Sequence, residues 1–433
     1  MGMEWLLIIL LFGAIFLGVP ISFAIAASSL VILFTADTPA MTPWILVQRT
    51  YTGIDNFVLL AIPLFLLTAL IMNESGVTDR LIKFAYVVIG TIRGGLALVN
   101  VLTSMIFAGF SGSSVADVAG TGSALIPAMY KKGYSKEFTV AVTCASSVIA
   151  QIMPPKVMAI IYASTVGLSV GALFMAGVLP ALLLGIMLLS YSFYVAKKHN
   201  YPSEVRISFK ESIKIIITTS PALVCPLIVI GGIVGGFFTP TEAAVVAVVY
   251  AMVLAFIFYR TMTLKKLWKC LVNTGIFSSV TLLCIGVASV FGHILAYYRV
   301  PVAIGNWLTG ITDNPIVFLL LIFVVFLLVG SFLDATPAII MMAPIVAPIG
   351  VLMGVHPIHT AMVVITTLAM GLITPPYGLA LLVACQIGKL QMAQALPTML
   401  KFYTINVILV IFTIFFPDAI LFLPRLMFPQ LNI

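Results

Sequence analysis

The stretch that decides the fold is residues 109–117, which read GFSGSSVAD. These small, hydroxyl-bearing residues weaken a helix, and they bring one acid into an otherwise apolar region. Residues 330–337, which read GSFLDATP, form a second stretch of the same kind. A buried acid at mid-membrane costs about 2.5–3.5 kcal/mol, so a bound cation or a shell of hydroxyl groups must offset it. We therefore predict two broken, polar elements inside a membrane domain, because irregular backbone is tolerated there only beside protein or a wet cavity.

The composition around these stretches points to lipid as the main solvent. Hydrophobic residues make up 62% of the 433 residues and charged residues 8%, with a mean hydropathy of +1.24. Soluble domains carry about 25% charged residues. The chain offers about ten to twelve apolar stretches of roughly 20 residues, the length of one span. We therefore expect an all-α polytopic membrane protein.

The apolar residues 1–34 are expected to form the first span. They lack the basic segment and the small-residue cleavage site of a signal peptide, so we do not interpret them as a removed leader.

The net charge of +8 comes from basic residues in a few short loops. The positive-inside rule places such loops in the cytoplasm, so a nucleic-acid partner is not expected. The segment between the basic loops at 197–214 and 260–269 should then cross the membrane outward, turn near residues 238–241 and cross back. The five cysteines have no metal or disulfide spacing and are interpreted as packing residues. The basic runs are Lys131, Lys132 and Lys136; Lys197, Lys198, Arg206, Lys210 and Lys214; and Arg260, Lys265, Lys266 and Lys269.

The two halves of the chain resemble each other. Four motifs recur in the same order at a separation of about 220 residues, which is typical of duplicated transporter halves. A strongly polar segment between the copies predicts a cytoplasmic connector at 197–214, with repeats at 1–196 and 215–433. The matched motifs are Gly18-Val19-Pro20 with Phe238-Thr239-Pro240, Gly53-Ile54 with Gly275-Ile276, the two polar stretches, and Ile152-Met153-Pro154-Pro155 with Ile373-Thr374-Pro375-Pro376.

Each half also contains a pair of prolines in an apolar region. Residues 150–155 read AQIMPP, and residues 371–378 read GLITPPYG. Paired prolines cannot continue a helix and leave backbone carbonyl groups without donors. With Ser and Thr hydroxyls, these oxygens suit a hard cation such as Na⁺. We predict one ion site in each half; the alternative is that the prolines are hinges and the serines are packing residues.

A set of specific motifs extends over nearly the whole chain: Gly94-Gly95-Leu96, Phe107 to Ser114, Tyr130-Lys131-Lys132-Gly133-Tyr134, Pro154-Pro155, Phe238 to Ala244, Leu327 to Pro337 and Leu372 to Gly378. In combination they resemble the large, DctM-like membrane subunit of tripartite ATP-independent periplasmic (TRAP) transporters. The resemblance implies an inverted-repeat, elevator-type carrier in a bacterial inner membrane, with scaffold helices, one hairpin and one ion site in each half. It also implies a small membrane subunit and a soluble periplasmic binding protein as partners.

The family's substrates are small organic acid anions such as a C4-dicarboxylate or sialic acid, imported with two or more coupling Na⁺ ions. Carried over by position, the first sodium site would use Ser111, Ser113 and backbone oxygens around Ala150, Met153 and Pro155. The second would use Gly330, Ser331, Gly371, Thr374 and Tyr377. The hairpins and the substrate would be supported by Asp117, Asp334, Ser114, Thr336 and Lys156.

The chain departs from the family pattern at two positions in the first break. Ala150 stands where glycine is frequent, and Lys156 follows the prolines where serine is frequent. The Lys156 ammonium group could pair with a substrate carboxylate. Alternatively, it could extend to a membrane interface or pair with a nearby acid.

Three other functions compete with this one. The first is an ion-coupled anion carrier of the same superfamily that needs no binding protein. The second is a channel, since broken helices also occur there. The third, an intramembrane enzyme, is disfavoured because the sequence has no His-Glu-x-x-His, Gly-x-Ser-x-Gly or phosphate-binding Gly-x-x-x-x-Gly-Lys motif.

Overall fold

The computed structural model describes residues 3–35, 42–203, 208–310, 312–376 and 378–431, and every regular element within these ranges is helical. The described part of the first half contains α1 Met3–Phe16, α2 Ile21–Thr35, α3 Trp44–Ile54, α4 Ala61–Glu74, α5 Val77–Ile89, α6 Gly95–Ser111, α7 Ser114–Asp117, α8 Ser123–Lys131, α9 Lys136–Ser147, α10 Ile149–Ile152, α11 Val157–Val166 and α12 Val170–Lys198.

The described part of the second half contains α13 Phe209–Val234, α14 Pro240–Val253, α15 Leu264–Tyr297, α16 Val300–Thr309, α17 Pro315–Phe332, α18 Ala335–Leu352, α19 Pro357–Gly371, α20 Leu379–Gly388, α21 Met392–Phe415 and α22 Pro417–Met427. Two π-helical segments, Val118–Gly122 and Leu254–Phe258, extend α7 and α14, and short 3₁₀ turns occupy Phe57–Leu60 and Pro429–Leu431.

Nine helical segments within the described ranges are long and apolar enough to cross a membrane, judged by length and composition. The all-α polytopic fold expected from the composition is therefore confirmed. The number is lower than the ten to twelve apolar stretches because several of these stretches are broken. The shorter apolar helices are Ile21–Thr35, Gly95–Ser111, Pro357–Gly371 and Leu379–Gly388.

The expectation of a single first span is wrong. Residues 3–35 form two helices, α1 and α2, which pack against each other. The chain turns at Gly18, whose φ of +82° lies in the left-handed region that favours glycine. Pro20 follows directly and cannot continue the preceding helix. In the described residues, the predicted connector at 197–214 covers the end of α12 and the start of α13. The division into inverted repeats stays a prediction.

The core lies around the segment from α9 to α11. In the most apolar part of this segment 89% of the residues are buried, compared with 22% in the most apolar part of α13. The side chains of Leu227 and Ile217 on α13 are 67% and 63% exposed, as expected of a helix that faces lipid. The predicted polar breaks therefore occur in the innermost helices, not in the peripheral ones.

Helix α15 is the longest of the described helices and packs against α2, α3 and α4. Glycines bring it close to α3. A Cβ atom at Gly53 would lie 2.6 Å from Cβ of Ser289, and one at Gly286 would lie 2.9 Å from Cγ2 of Thr50. Small residues at such crossings allow the close backbone approach on which helix association in lipid depends.

The two halves interlock around their proline breaks. Helix α11, which follows the first break, packs against α18, and α20, which follows the second, packs against α9. The hydroxyl of Tyr130, at the end of α8, donates a 2.9 Å hydrogen bond to the carbonyl of Gly388, at the end of α20. The innermost helices of both halves therefore form one packed unit.

Candidate ion and substrate site

The first polar stretch forms the tip of a helical hairpin made by α6 on one side and by α7 and α8 on the other. Helix α6 ends at Ser111, and Gly112 reverses the chain with a φ of +55°. Ser113 is the N-cap of α7, and its side chain accepts a 3.4 Å hydrogen bond from the N–H of Ala116. Glycine and serine are thus required at this tip by backbone conformation and helix capping.

This tip lies directly against the first proline break. A Cβ atom at Gly112 would lie 2.9 Å from the carbonyl oxygen of Pro155. With its amide nitrogen toward Gly112, Gln151 donates to the Gly112 carbonyl at 3.2 Å and accepts from the Ser114 N–H at 3.3 Å. The Ser114 hydroxyl donates to the Ser147 carbonyl at 2.8 Å. The structure therefore joins two segments that the sequence placed in one site, and it adds Gln151 as their bridge.

The first proline break leaves three backbone carbonyl groups without their helical hydrogen-bond donors. In a continuous helix, the carbonyls of Ala150 and Gln151 would accept from residues 154 and 155, but proline has no N–H. The Ile152 carbonyl loses its helical donor as well, because Lys156 has extended backbone, with φ −126° and ψ 128°. No backbone N–H in the described part of the chain donates to these three carbonyls. They are oxygen ligands without a competing hydrogen bond from the backbone.

A ladder of polar side chains between α6 and α9 supports the first hairpin. The Asn100 amide donates to the Thr143 hydroxyl at 2.6 Å, and the hydroxyls of Ser104 and Ser146 lie 3.1 Å apart. Sequence reasoning missed these residues, although polar positions three and four residues apart on a buried helix are a readable signal. Asp117 is fully buried and lies beside Ser104, and its role in supporting the hairpin stays a prediction.

The second site repeats the contact between a hairpin tip and a break. Helices α17 and α18 form the hairpin, and α19 leads into the break. A Cβ atom at Gly371 would lie 2.7 Å from both C and Cα of Gly330, so the two backbones touch. The Ser331 hydroxyl donates to the Leu328 carbonyl at 2.7 Å, and the Thr374 hydroxyl donates to the Met370 carbonyl at 2.8 Å. Each hydroxyl oxygen keeps lone pairs for another ligand.

The acid of the second hairpin stands at a helix start. Asp334 is half-buried at the N-cap position of α18, close to the backbone N–H groups of Ala335 and Thr336. A negative charge is favourable at this end of a helix. Thr336 lies in the first turn of α18 and is half-buried. Tyr377, the remaining predicted residue of this site, lies outside the described residues.

The two breaks differ in how their carbonyls are satisfied. In the second break, Gly371 accepts from the N–H of Thr374 at 2.9 Å, and Leu372 accepts from the N–H of Ala380 at 3.1 Å. The first break has no such local donors for Ala150, Gln151 and Ile152. The two breaks are therefore alike in sequence but unequal in the number of free backbone oxygens.

The residues present fit a small hard cation at the first break. The Ser111 hydroxyl is buried and has no hydrogen-bond partner among the described residues. Oxygen-only ligand sets of hydroxyls, carbonyls and a carboxylate suit hard cations. The roles of individual ligands stay predictions.

Lys156 lies at the first break and is fully buried. Its ammonium nitrogen is 3.3 Å from the Met362 sulfur on α19. The ion pairs found among the described residues, Lys269–Glu74 and Arg425–Asp418, do not involve it. Its burial contradicts the interpretation that Lys156 extends to a membrane interface, and its role stays a prediction.

A polar cleft lies among four helices that come from both halves of the chain. Its volume is about 210 Å³, and it lies between α3 and α15 on one side and α11 and α18 on the other. Polar groups from both sides line it: Asn56, Ser164, Thr165 and Ser289. Sequence reasoning did not identify this cleft, because its residues come from four distant segments.

The sequence matches a family of known proteins. Residues 8–419 match the family model described as tripartite ATP-independent periplasmic transporter, DctM component. The sialic acid TRAP transporter large permease protein SiaM of Vibrio cholerae is 35% identical over 96% of both chains. The isethionate TRAP transporter permease protein DctMQ of Oleidesulfovibrio alaskensis is 34% identical over 95% of this chain and 65% of that protein.

A solved structure supports the fold independently. The YdaH transporter of Alcanivorax borkumensis superposes with a TM-score of 0.60, covering 85% of this chain and 86% of that one at 15% identity. At this identity the likeness concerns the fold alone.

Proposed function

Because the chain belongs to the DctM component family of tripartite ATP-independent periplasmic transporters, we propose that it imports a small organic anion together with sodium ions. The resemblance inferred from the motifs is thus confirmed. Members of this family are secondary transporters of organic acids and not enzymes. Sodium coupling, the elevator motion and the substrate are parts of the proposal.

One observation carries the proposal: each half places a hairpin tip against a proline break. In the first half the contact joins Gly112 to Pro155, and in the second it joins Gly330 to Gly371. A cation held between a tip and a break would draw the two together. Ion binding would then order the tips that border the anion pocket.

The proposed cycle begins when a binding protein delivers the anion to the outward-facing carrier. Two or more Na⁺ ions bind at the tip–break contacts, and the ordered tips close around the anion. The helices that carry the tips and the breaks then move inward as a unit past the other helices, which act as the scaffold. Each net positive charge moved inward gains about 2.3 kcal/mol per 100 mV, which drives accumulation without ATP.

The proposed partners follow from the family. A small membrane subunit and a periplasmic binding protein would complete the transporter in the bacterial inner membrane. The DctMQ relative supports this, since this chain matches only 65% of it. For the substrate, the named relatives support an organic anion, because sialic acid and isethionate are both anionic at neutral pH.

Reconstituted uptake tests the proposal. The chain and its small subunit would be placed in liposomes, with purified binding protein outside and labelled sialic acid, succinate or isethionate as probes. We expect one probe to accumulate with an inward Na⁺ gradient and not with choline. Equal accumulation in both salts would disprove sodium coupling.

The alternative carrier, which needs no binding protein, is tested in the same liposomes. Uptake that is unchanged when the binding protein is withheld would favour that alternative. Stimulation of labelled uptake by unlabelled anion on the far side would separate either carrier from a channel.

A further inference from the structure

The first break contains a buried lysine that the proposed cycle does not use. Lys156 is fully buried, and its side chain runs from the break toward α12 and α19. Lys156 directly follows Pro155, whose carbonyl oxygen lies against Gly112 at the hairpin tip. Its side chain therefore starts next to the proposed first sodium site.

The ammonium group lies beside one of the freed carbonyls. A Cβ atom at Gly177 on α12 would collide with both the Lys156 nitrogen and the Ile152 carbonyl oxygen, so these two atoms border the same small space. Glycine at 177 thus leaves the room that the ammonium occupies. The Met362 sulfur, at 3.3 Å, is a weak acceptor and cannot neutralise a charge.

We propose that Lys156 is a tethered cation that shares the oxygen cage of the first break and weakens Na⁺ binding there. Two positive charges several ångströms apart repel strongly enough in a protein to lower affinity about tenfold or more. The predicted ligands of the second ion site include no lysine, so that site would bind Na⁺ at a lower concentration and fill first. Filling of the first site would then set the sodium concentration at which the carrier loads.

This inference rests on the proposed function, because it assigns unequal affinities to the two proposed sites. A tethered charge returns with the empty carrier and therefore contributes nothing to net charge movement. Its effect is on sodium affinity and not on the driving force.

The test is the sodium dependence of thermal stability, measured on the purified complex of this chain with its small subunit. NaCl replaces choline chloride at constant ionic strength, and no transport is required. We expect Lys156→Met to lower the Na⁺ concentration at half-maximal stabilisation at least tenfold. If this variant does not fold, Lys156→Gln removes the same charge and is measured instead.

Two further variants separate charge from structure. Lys136→Met removes an exposed charge at the start of α9 and should leave the Na⁺ midpoint unchanged. In the double variant Lys156→Met with Met362→Lys, the ammonium approaches the same point from α19, and the wild-type midpoint should return. A merely structural role for Lys156 would not be rescued in this way.

The outcomes distinguish this inference from the proposed function. An unchanged Na⁺ midpoint in Lys156→Met would overturn the tethered cation and leave sodium coupling intact. Loss of stabilisation by the anion with an unchanged Na⁺ midpoint would also overturn it and assign Lys156 to the substrate. Absence of any sodium effect in the wild type would count against both proposals.

Discussion

Among single side chains, Ser111 offers the most direct test of the proposed first sodium site. Its hydroxyl is buried without a hydrogen-bond partner in the described part of the chain, an arrangement that is costly unless a ligand compensates it. Ser111→Ala should lower the apparent Na⁺ affinity of uptake about ten- to a hundredfold, because a contact to a charged group contributes roughly 1.5–3 kcal/mol. Folding should be unaffected, since no hydrogen bond from the protein is lost.

The matched control for Ser111→Ala is Ser190→Ala. Ser190 lies on the exposed face of α12, where its hydroxyl donates to the Ile186 carbonyl at 2.8 Å. Its removal should change neither the Na⁺ dependence nor the melting temperature. Equal Na⁺ affinities in the two variants would remove Ser111 from the ligand set.

Gln151 is predicted to hold the first tip against its break. Gln151→Ala would remove both hydrogen bonds, to Gly112 and to Ser114, and leave two backbone groups unsatisfied. Each buried unsatisfied group costs about 1–3 kcal/mol, so the melting temperature of the complex and the uptake rate should both fall. Gln151→Glu keeps the acceptor and loses the donor, so its melting temperature should lie between those of wild type and alanine. A melting temperature equal to that of wild type for the alanine variant would show that the bridge is not needed.

Among the helices, the contact between α17 and α19 should tolerate no added atom. Gly371→Ala would place a Cβ atom 2.7 Å from the Gly330 backbone, which cannot move aside as a side chain can. Overpacking of this kind costs typically 1–3 kcal/mol, and here it would also separate the second tip from its break. We expect a lower melting temperature and loss of sodium-dependent uptake.

Gly275→Ala on α15 is the control for this substitution. No atom lies within 4 Å of the position of its added Cβ, and alanine favours helix over glycine by up to about 1 kcal/mol. The variant should melt at or above the wild-type temperature and transport normally. If both glycine variants behaved alike, the tip–break contact would not be important for transport.

The start of α14 shows how local sequence fixes the end of a helix. Thr239 and Glu242 form a capping box at the start of α14, in which Glu242 accepts from the N–H and the hydroxyl of Thr239, both at 2.8 Å. Thr-x-x-Glu with Pro240 at the first helical position is a known start signal. Glu242 therefore has a structural role.

For the molecule as a whole, the charge pattern predicts the orientation of α14. Phe237, in the turn before this helix, is 78% exposed and should face the periplasm; Lys265, after it, is exposed and should face the cytoplasm. A cysteine at 237 should react with an impermeant maleimide in intact cells. A cysteine at 265 should react only after permeabilisation.

The native cysteines provide a low background for this experiment. All five, at 144, 225, 270, 284 and 385, are buried. The unmodified chain should therefore label weakly on both sides of the membrane. The opposite labelling pattern for 237 and 265 would invert the predicted topology.

The sequence by itself determined the solvent, the helical class, the duplicated breaks and the family. These properties depend on composition and on short motifs, because apolar length sets a span and proline ends a helix wherever it occurs. It did not determine the turn at Gly18 between α1 and α2, since an apolar run does not reveal where a short interruption becomes a reversal.

Only the tertiary structure decided which separated residues meet. It placed Gln151 between Gly112 and Ser114, paired Asn100 with Thr143, and buried Lys156 against Met362. Contacts between distant segments depend on how whole helices cross, and no local pattern in one chain encodes that crossing. For the same reason, the inequality of the two breaks became visible only when the carbonyl groups could be followed to their donors.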